Sequence, residues 1–87
     1  MAFNWDSYKD RDWFGTDRQK EMDGVFQAAY ILGERGQTRK NPFNNLPSNH
    51  PLQKDPDLLL GLQKAFDDGI KDGAKVRENR EIHQLRN

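Results

Sequence analysis

The chain contains no cysteine, so neither a disulfide framework nor a thiolate metal site can stabilise it, and the absence fits a reducing cytoplasm. No apolar run approaches the ~20 residues of a membrane span, and no signal-like hydrophobic stretch follows Met1. There is no excess charge of either sign: 14 Lys and Arg balance 14 Asp and Glu. General nucleic-acid coat proteins are usually strongly basic, so this neutrality argues against one. No segment shows the alternation of a strand, and an all-α fold is expected. Apolar residues are also scarce, at 33% against 32% charged. A chain of 87 residues buries about 60–65% of its unfolded surface. A single thin-cored domain follows, one that a partner or a second copy would stabilise.

What the chain does have is one helical unit written twice. Phe26-Gln27-Ala28-Ala29-Tyr30-Ile31-Leu32-Gly33 returns as Leu62-Gln63-Lys64-Ala65-Phe66-Asp67-Asp68-Gly69, with glutamine, alanine and glycine in register. Each copy then meets a second glycine, Gly36 or Gly73. Glycine inside a helix costs about 0.5–1 kcal/mol relative to alanine, so several of them in a marginal protein need a reason. Close approach is one such reason. Gly69 and Gly73 share a helix face and form a notch, which either packs against the other helix or receives a partner.

The spacing predicts two main helices, at about 16–35 and 55–80. Thr16 with Gln19 has the form of a capping box, and Met22, Val25, Phe26, Ala29 and Leu32 follow at helical period. Gly36 suits the carboxy-terminal cap. Asp55 as N-cap, Pro56 at the first helical position and Asp57 in the first turn begin the second helix. Its seam runs through Leu59, Leu62, Phe66, Ile70 or Gly69, Gly73 and Val76, ahead of a polar tail over 81–87. Between the helices, residues 37–54 hold Pro42, Pro47 and Pro51 among asparagines, which excludes a long helix. Phe43, Leu46 and Leu52 are the expected points at which this loop returns to the core. Residues 1–15 form an arm that carries Phe3, Trp5, Tyr8, Trp13 and Phe14 among aspartates. Such a density of aromatics must pack on the helices or bind something else.

Catalytic and metal chemistry find little footing. His50 and His83 have no second ligand at metal spacing, and Ser7 and Ser48 have no local base. Asp67, Asp68 and Asp72 lack the ordered spacing of a calcium loop and read as a solvated helix face. No phosphate-binding glycine loop occurs. No enzyme, cofactor, metal or small-molecule substrate is expected.

The stretch Ala29-Tyr30-Ile31-Leu32-Gly33-Glu34-Arg35-Gly36, followed by Asn41-Pro42-Phe43, resembles the ribosome modulation factor family. There a short helix with similar glycine spacing leads into a Cys-Pro-Tyr-like tripeptide and then a second helix, whose start Gly61-Leu62-Gln63-Lys64-Ala65-Phe66 matches in shape. The resemblance covers roughly residues 25–70. It implies a two-helix fold and an inhibitory or silencing role on a large nucleoprotein complex. Small proteins of this type also occur on phages and plasmids.

The expected function is that of a cytoplasmic binding protein, which docks on a large host complex and modulates it. Trp5, Tyr8, Trp13 and Phe14 would anchor a protein partner, since Trp and Tyr dominate interface hot spots. Gly69 and Gly73 would offer the notch. Arg35, Arg39 and Lys40 would supply any contact to ribosomal RNA or an acidic surface. A protein partner ranks first because the second repeat is acidic, and a membrane is not expected. The alternative is a self-associating structural or virion-associated component, a homo-oligomer built on the glycine-notched faces.

Overall fold

The computed structural model describes residues 4–9, 13, 17–37 and 39–86, with the backbone alone for Asp6, Lys9 and residues 81–86. Within them the order is α1 (Trp5–Lys9), α2 (Arg18–Glu34), a 3-10 turn (Pro51–Lys54) and α3 (Pro56–Arg86), with no strand. The protein is all-α, built on two main helices with an aromatic arm. No described helix is long and apolar enough to cross a membrane.

Each helix end has a local cause. Asp17, rather than Thr16, caps α2: its carboxylate accepts from the backbone N–H of Gln19 at 3.1 Å and of Lys20 at 3.3 Å. A carboxylate at this position satisfies two orphan donors and meets the positive end of the helix dipole. Thr16, Phe3 and Phe14 lie outside the described residues. At the other end Gly36 takes a φ of +68°, the left-handed conformation that suits glycine. Gly36 N–H donates to the Gly33 carbonyl and Gln37 N–H to the Leu32 carbonyl, which together form a Schellman motif. Asp55 starts α3 by accepting from Leu58 N–H at 3.3 Å, with Pro56 as the first helical residue. The helix continues to Arg86, past the boundary at 80 that the polar tail suggested. Neither glycine nor proline follows Gly73, so nothing interrupts it.

The two long helices run parallel. Met22 lies over Gly61, Ala29 touches the Gly69 site, Gly33 meets Gly73, and Gly36 reaches Arg77, so residue numbers rise together on both helices. Two further contacts bracket the pair, an Arg18–Asp55 ion pair at the start and an Arg80–Glu34 pair at the far end. Parallel neighbours cannot be joined by a tight turn. Residues 39–55 therefore run back along the helix pair, pinned by Phe43 and Leu52, both almost fully buried, and by half-buried Leu46. The crossover also contains the 3-10 turn, which the proline and asparagine pattern did not announce. His50 caps it by accepting from Leu52 N–H through Nδ1 at 3.1 Å.

The seam is made from backbone. A methyl group placed on Gly33 would fall on the Ile70 carbonyl oxygen and within 2.9 Å of Ala74 N. One placed on Gly73 would fall on the Tyr30 carbonyl oxygen and within 2.8 Å of Glu34 N. At Gly69 it would stand 2.8 Å from the Ala29 methyl. Gly24 differs, because open space surrounds it and nothing in the structure explains a glycine there.

Alanine substitutions should separate these glycines by sign. Gly33→Ala should destabilise by roughly 1–3 kcal/mol, the usual scale of overpacking. Gly24→Ala should stabilise by about 0.5–1 kcal/mol through helix propensity alone. Urea midpoints of the two variants would check this, and equal shifts would contradict the backbone seam. The Arg18–Asp55 pair supplies a second test. The Arg18 guanidinium, and then the Leu58 N–H, hold the Asp55 carboxyl below the usual carboxylate range. A lowered folded-state value gives stability that is present above the ordinary range and lost as pH falls through the folded-state value. Asp55→Asn retains a capping side chain without the charge. Its deficit against wild type at pH 7 should therefore close on acidification, as read by urea unfolding at both pH values.

Candidate functional site

The described rings of the aromatic arm pack on their own domain. Trp5 and Trp13 are 2% and 7% exposed, and Tyr8 is half-buried. The Trp5 ring lies 5.0 Å from Phe66 and 6.3 Å from Phe43, at 77° and 86°, while Tyr8 meets Trp13 at 5.3 Å. These edge-to-face contacts direct positive ring edges at negative ring faces. The Tyr8 hydroxyl donates to the Glu21 carboxylate on α2. As partner anchors, Trp5, Tyr8 and Trp13 are thus turned inward: the thin core that two helices supply needs their rings. Phe14, the fourth expected anchor, lies outside the described residues.

The tripeptide Asn41-Pro42-Phe43 fastens the crossover to α3. Asn41 is buried, and its Nδ2 donates to the Gln63 carbonyl at 2.8 Å and to Asp67 Oδ1 at 3.1 Å. Its Oδ1 accepts from Phe43 N–H at 3.0 Å, and Gln63 Nε2 donates to the Phe43 carbonyl at 3.0 Å. Both side-chain polar atoms of Asn41 have partners, and no buried side-chain nitrogen or oxygen among the described residues lacks one, the condition under which a buried amide stabilises rather than costs.

The notch of Gly69 and Gly73 is likewise occupied from within. Both glycines are buried under the α2 backbone at Phe26, Tyr30 and Gly33. A partner could enter there only if α2 and α3 parted. The sequence repeat is offset by 36 residues, whereas the contacts are offset by 40, Ala29 on Gly69 and Gly33 on Gly73. The difference is one helical turn, so the repeated faces still meet.

Arg35, Arg39 and Lys40 are all exposed. Arg39 holds its guanidinium 5.9 Å from the centre of the Trp5 ring, a cation–π position that closes the arm. The parallel register brings the tail's basic residues to the end of α2. Arg77 Nη1 approaches the Glu34 carbonyl at 3.5 Å, and Arg80 pairs with the Glu34 carboxylate at 3.8 Å. Arg35, Arg77 and Arg80 thereby share one basic tip, which the sequence shows as two separate groups. His50 is buried as the cap of the 3-10 turn, and His83 lies where only the backbone is described.

Arm and crossover cover one side of the helix pair, and a larger depression of about 420 Å³ lies where Trp13, Leu52 and Leu58 meet. A separate, partly open apolar cluster is on α2. Phe26, Gln27, Tyr30 and Ile31 surround a shallow depression of about 330 Å³. Ile31 is 49% exposed, and the Phe26 and Tyr30 rings lie tilted together at 6.2 Å. In the sequence Phe26 belongs to the apolar stripe and the repeat, and Tyr30 and Ile31 to the repeat and to the stretch that carries the family resemblance. The signal was Ile31, an aliphatic residue on the side of the helix away from Val25 and Ala29. No protein-family model, curated protein or solved structure gives a significant match to the chain. The reading of these surfaces therefore rests on their geometry.

Replacing Trp5 should act on folding before it acts on any partner. Trp5→Ala should cost about 3–5 kcal/mol, the range for deleting a large core ring. Its near-UV circular dichroism should weaken along with the unfolding midpoint, whereas an unchanged midpoint would mean that the arm contributes nothing to the fold.

Proposed function

We propose that this protein binds a larger macromolecular assembly and modulates it, docking through the outer face of α2. The observation that carries this reading is the cluster of half-buried Phe26 and Tyr30 with exposed Ile31 around its depression. A chain with so few apolar residues has buried Trp5, Trp13, Phe43 and Phe66, yet leaves this cluster at the surface. Partly exposed aromatic and aliphatic side chains on a rigid support are what interface anchors require. The support is rigid because the opposite side of α2 is locked to α3 through backbone contact, so little ordering is needed on binding.

A ribosome-like nucleoprotein and another host protein machine are the two target classes of this reading. The resemblance to the ribosome modulation factor family favours the first, and the exposed Arg35 and Lys40 could meet phosphate there. The neutral charge and the apolar anchor favour the second. Self-association through the glycine faces would require the seam to open, so it ranks behind both.

Site-specific photo-cross-linking tests the proposal in host cells. A photoreactive amino acid in place of Ile31 should capture a discrete larger species, while one in place of exposed Asn44 on the crossover should not. Capture that disappears after nuclease treatment assigns a nucleoprotein target, and capture that persists assigns a protein. Equal labelling at both positions, or none at Ile31, would overturn the assignment of this face.

A further inference from the structure

The chemistry of the partner can be read from the charges beside the α2 face. Glu21 on α2 and Asp67 on α3 touch the arm and the crossover, which defines the front of the pair. With 3.6 residues per turn, Phe26, Tyr30 and Asp23 fall on the back of α2, and Asp68 and Asp72 on the back of α3. The levels agree as well. The Tyr30 backbone lies against Gly69 and Gly73, the residues that directly follow Asp68 and Asp72. The aromatic pair is thus bordered across the seam by two carboxylates one turn apart, and along α2 by Asp23.

These carboxylates have no role inside the molecule that accounts for them. Asp68 and Asp72 are exposed, and neither has an ion-pair or hydrogen-bond partner among the described residues. They repel one another at i, i+4, and they lie in the middle of α3, far from the amino end where the helix dipole would favour them. Among the described residues Asp23 accepts only from Gln19 Nε2, at 2.9 Å. Lys64 and Lys71 stand four residues before and three after Asp68, and Lys75 three after Asp72, so all three are neighbours on the helix surface. None comes within ion-pair distance of either carboxylate.

We infer that the back of the α2–α3 pair receives a basic amphipathic helix of a protein partner. Its apolar residues would fill the depression of Phe26, Gln27, Tyr30 and Ile31, and its lysines or arginines would meet Asp23, Asp68 and Asp72. An apolar centre with an acidic border is the complement of such a helix. It is the wrong sign for a nucleic-acid backbone, whose phosphates would be repelled at this face. The inference rests on the docking role proposed for the α2 face and adds the partner's chemistry.

The probe is a designed helical peptide with leucines on one face and lysines on the other, titrated into the full-length protein. Amide chemical shifts should move at residues 23–31 and 65–72, and binding should weaken as salt rises. Asp68→Lys combined with Asp72→Lys should weaken the peptide about tenfold, since two attractive pairs become repulsive. Circular dichroism should show the fold unchanged, because both positions are exposed. An isosteric Asp68→Asn, Asp72→Asn variant should fall between. Failure of the lysine peptide to bind would overturn the inference, as would equal binding of a glutamate-faced peptide, shifts centred on Arg35 and Arg77, or a single-stranded RNA bound at this face. The docking reading has its own readout, the cross-link at Ile31, which can succeed where the lysine peptide fails.

Discussion

The fold depends on a contact between two backbones. Where α2 crosses α3, Gly33, Gly69 and Gly73 have no side chain to hold the helices apart, and Ala29 contributes only a methyl. Carbonyl oxygens of Phe26, Tyr30 and Ile70 then lie where the missing methyls would be. That geometry suits Cα–H···O contacts, worth perhaps 0.5–1 kcal/mol each, and brings many atom pairs into dispersion range. Facing small-x-x-x-small motifs achieve the same close approach in membrane helices, where no hydrophobic force drives association. Here the need arises from composition: a chain with a third of its residues charged has few large apolar side chains to place between two helices. The helix-propensity penalty of the glycines is offset by a seam that needs no bulk.

Parallel orientation follows through the rest of the molecule. The chain must return from the end of α2 to the start of α3, and the return path lies on one side of the pair only. Phe43 and Leu52 hold it there, Asn41 fastens it to α3, and the rings of Trp5 and Trp13 close over it. The aromatic arm is therefore the third wall of the core that two helices alone cannot complete. One side of the pair is covered in this way, and the other is left open.

How much of this was legible depends on whether the signal is local. Gly36 as a cap, Asp55-Pro56 as a start, and Phe43, Leu46 and Leu52 as pins are all short-range chemistry, and the structure agrees with each. Thr16 and Asp17 compete for one cap within two adjacent residues, a choice that periodicity cannot make. The α3 seam was legible in outline, although Leu58 is more deeply buried than Leu59. The glycines announced a close approach, but their spacing is the same whether the other surface belongs to this chain or to a partner. Helix direction is also silent in the sequence, because an apolar stripe reads alike for parallel and antiparallel neighbours. The α2 face stayed hidden for a related reason. Phe26 and Tyr30 resemble core residues until the arm and crossover are seen to occupy the other side.

Orientation also gives meaning to the uneven charge. Residues 1–33 and 55–73 are net acidic at −2 and −3, and residues 34–54 and 74–87 net basic at +3 and +2. An antiparallel hairpin would set the basic end of the first helix beside the acidic start of the second and neutralise both. The parallel pair instead aligns acid with acid along its body and gathers Arg35, Arg77 and Arg80 at one tip. Exposed like charges lose little at physiological salt, where screening acts over about 8 Å, so folding tolerates the arrangement. Among the described residues folding draws little benefit from it either, apart from the end pairs at Arg18–Asp55 and Arg80–Glu34. A charge distribution that contributes little to stability but polarises the surface acts on encounter and orientation with a partner. The acidic body flanks the half-buried rings of α2, and the basic tip is displaced along the axis. A partner drawn by either pole would meet the apolar face in a defined direction.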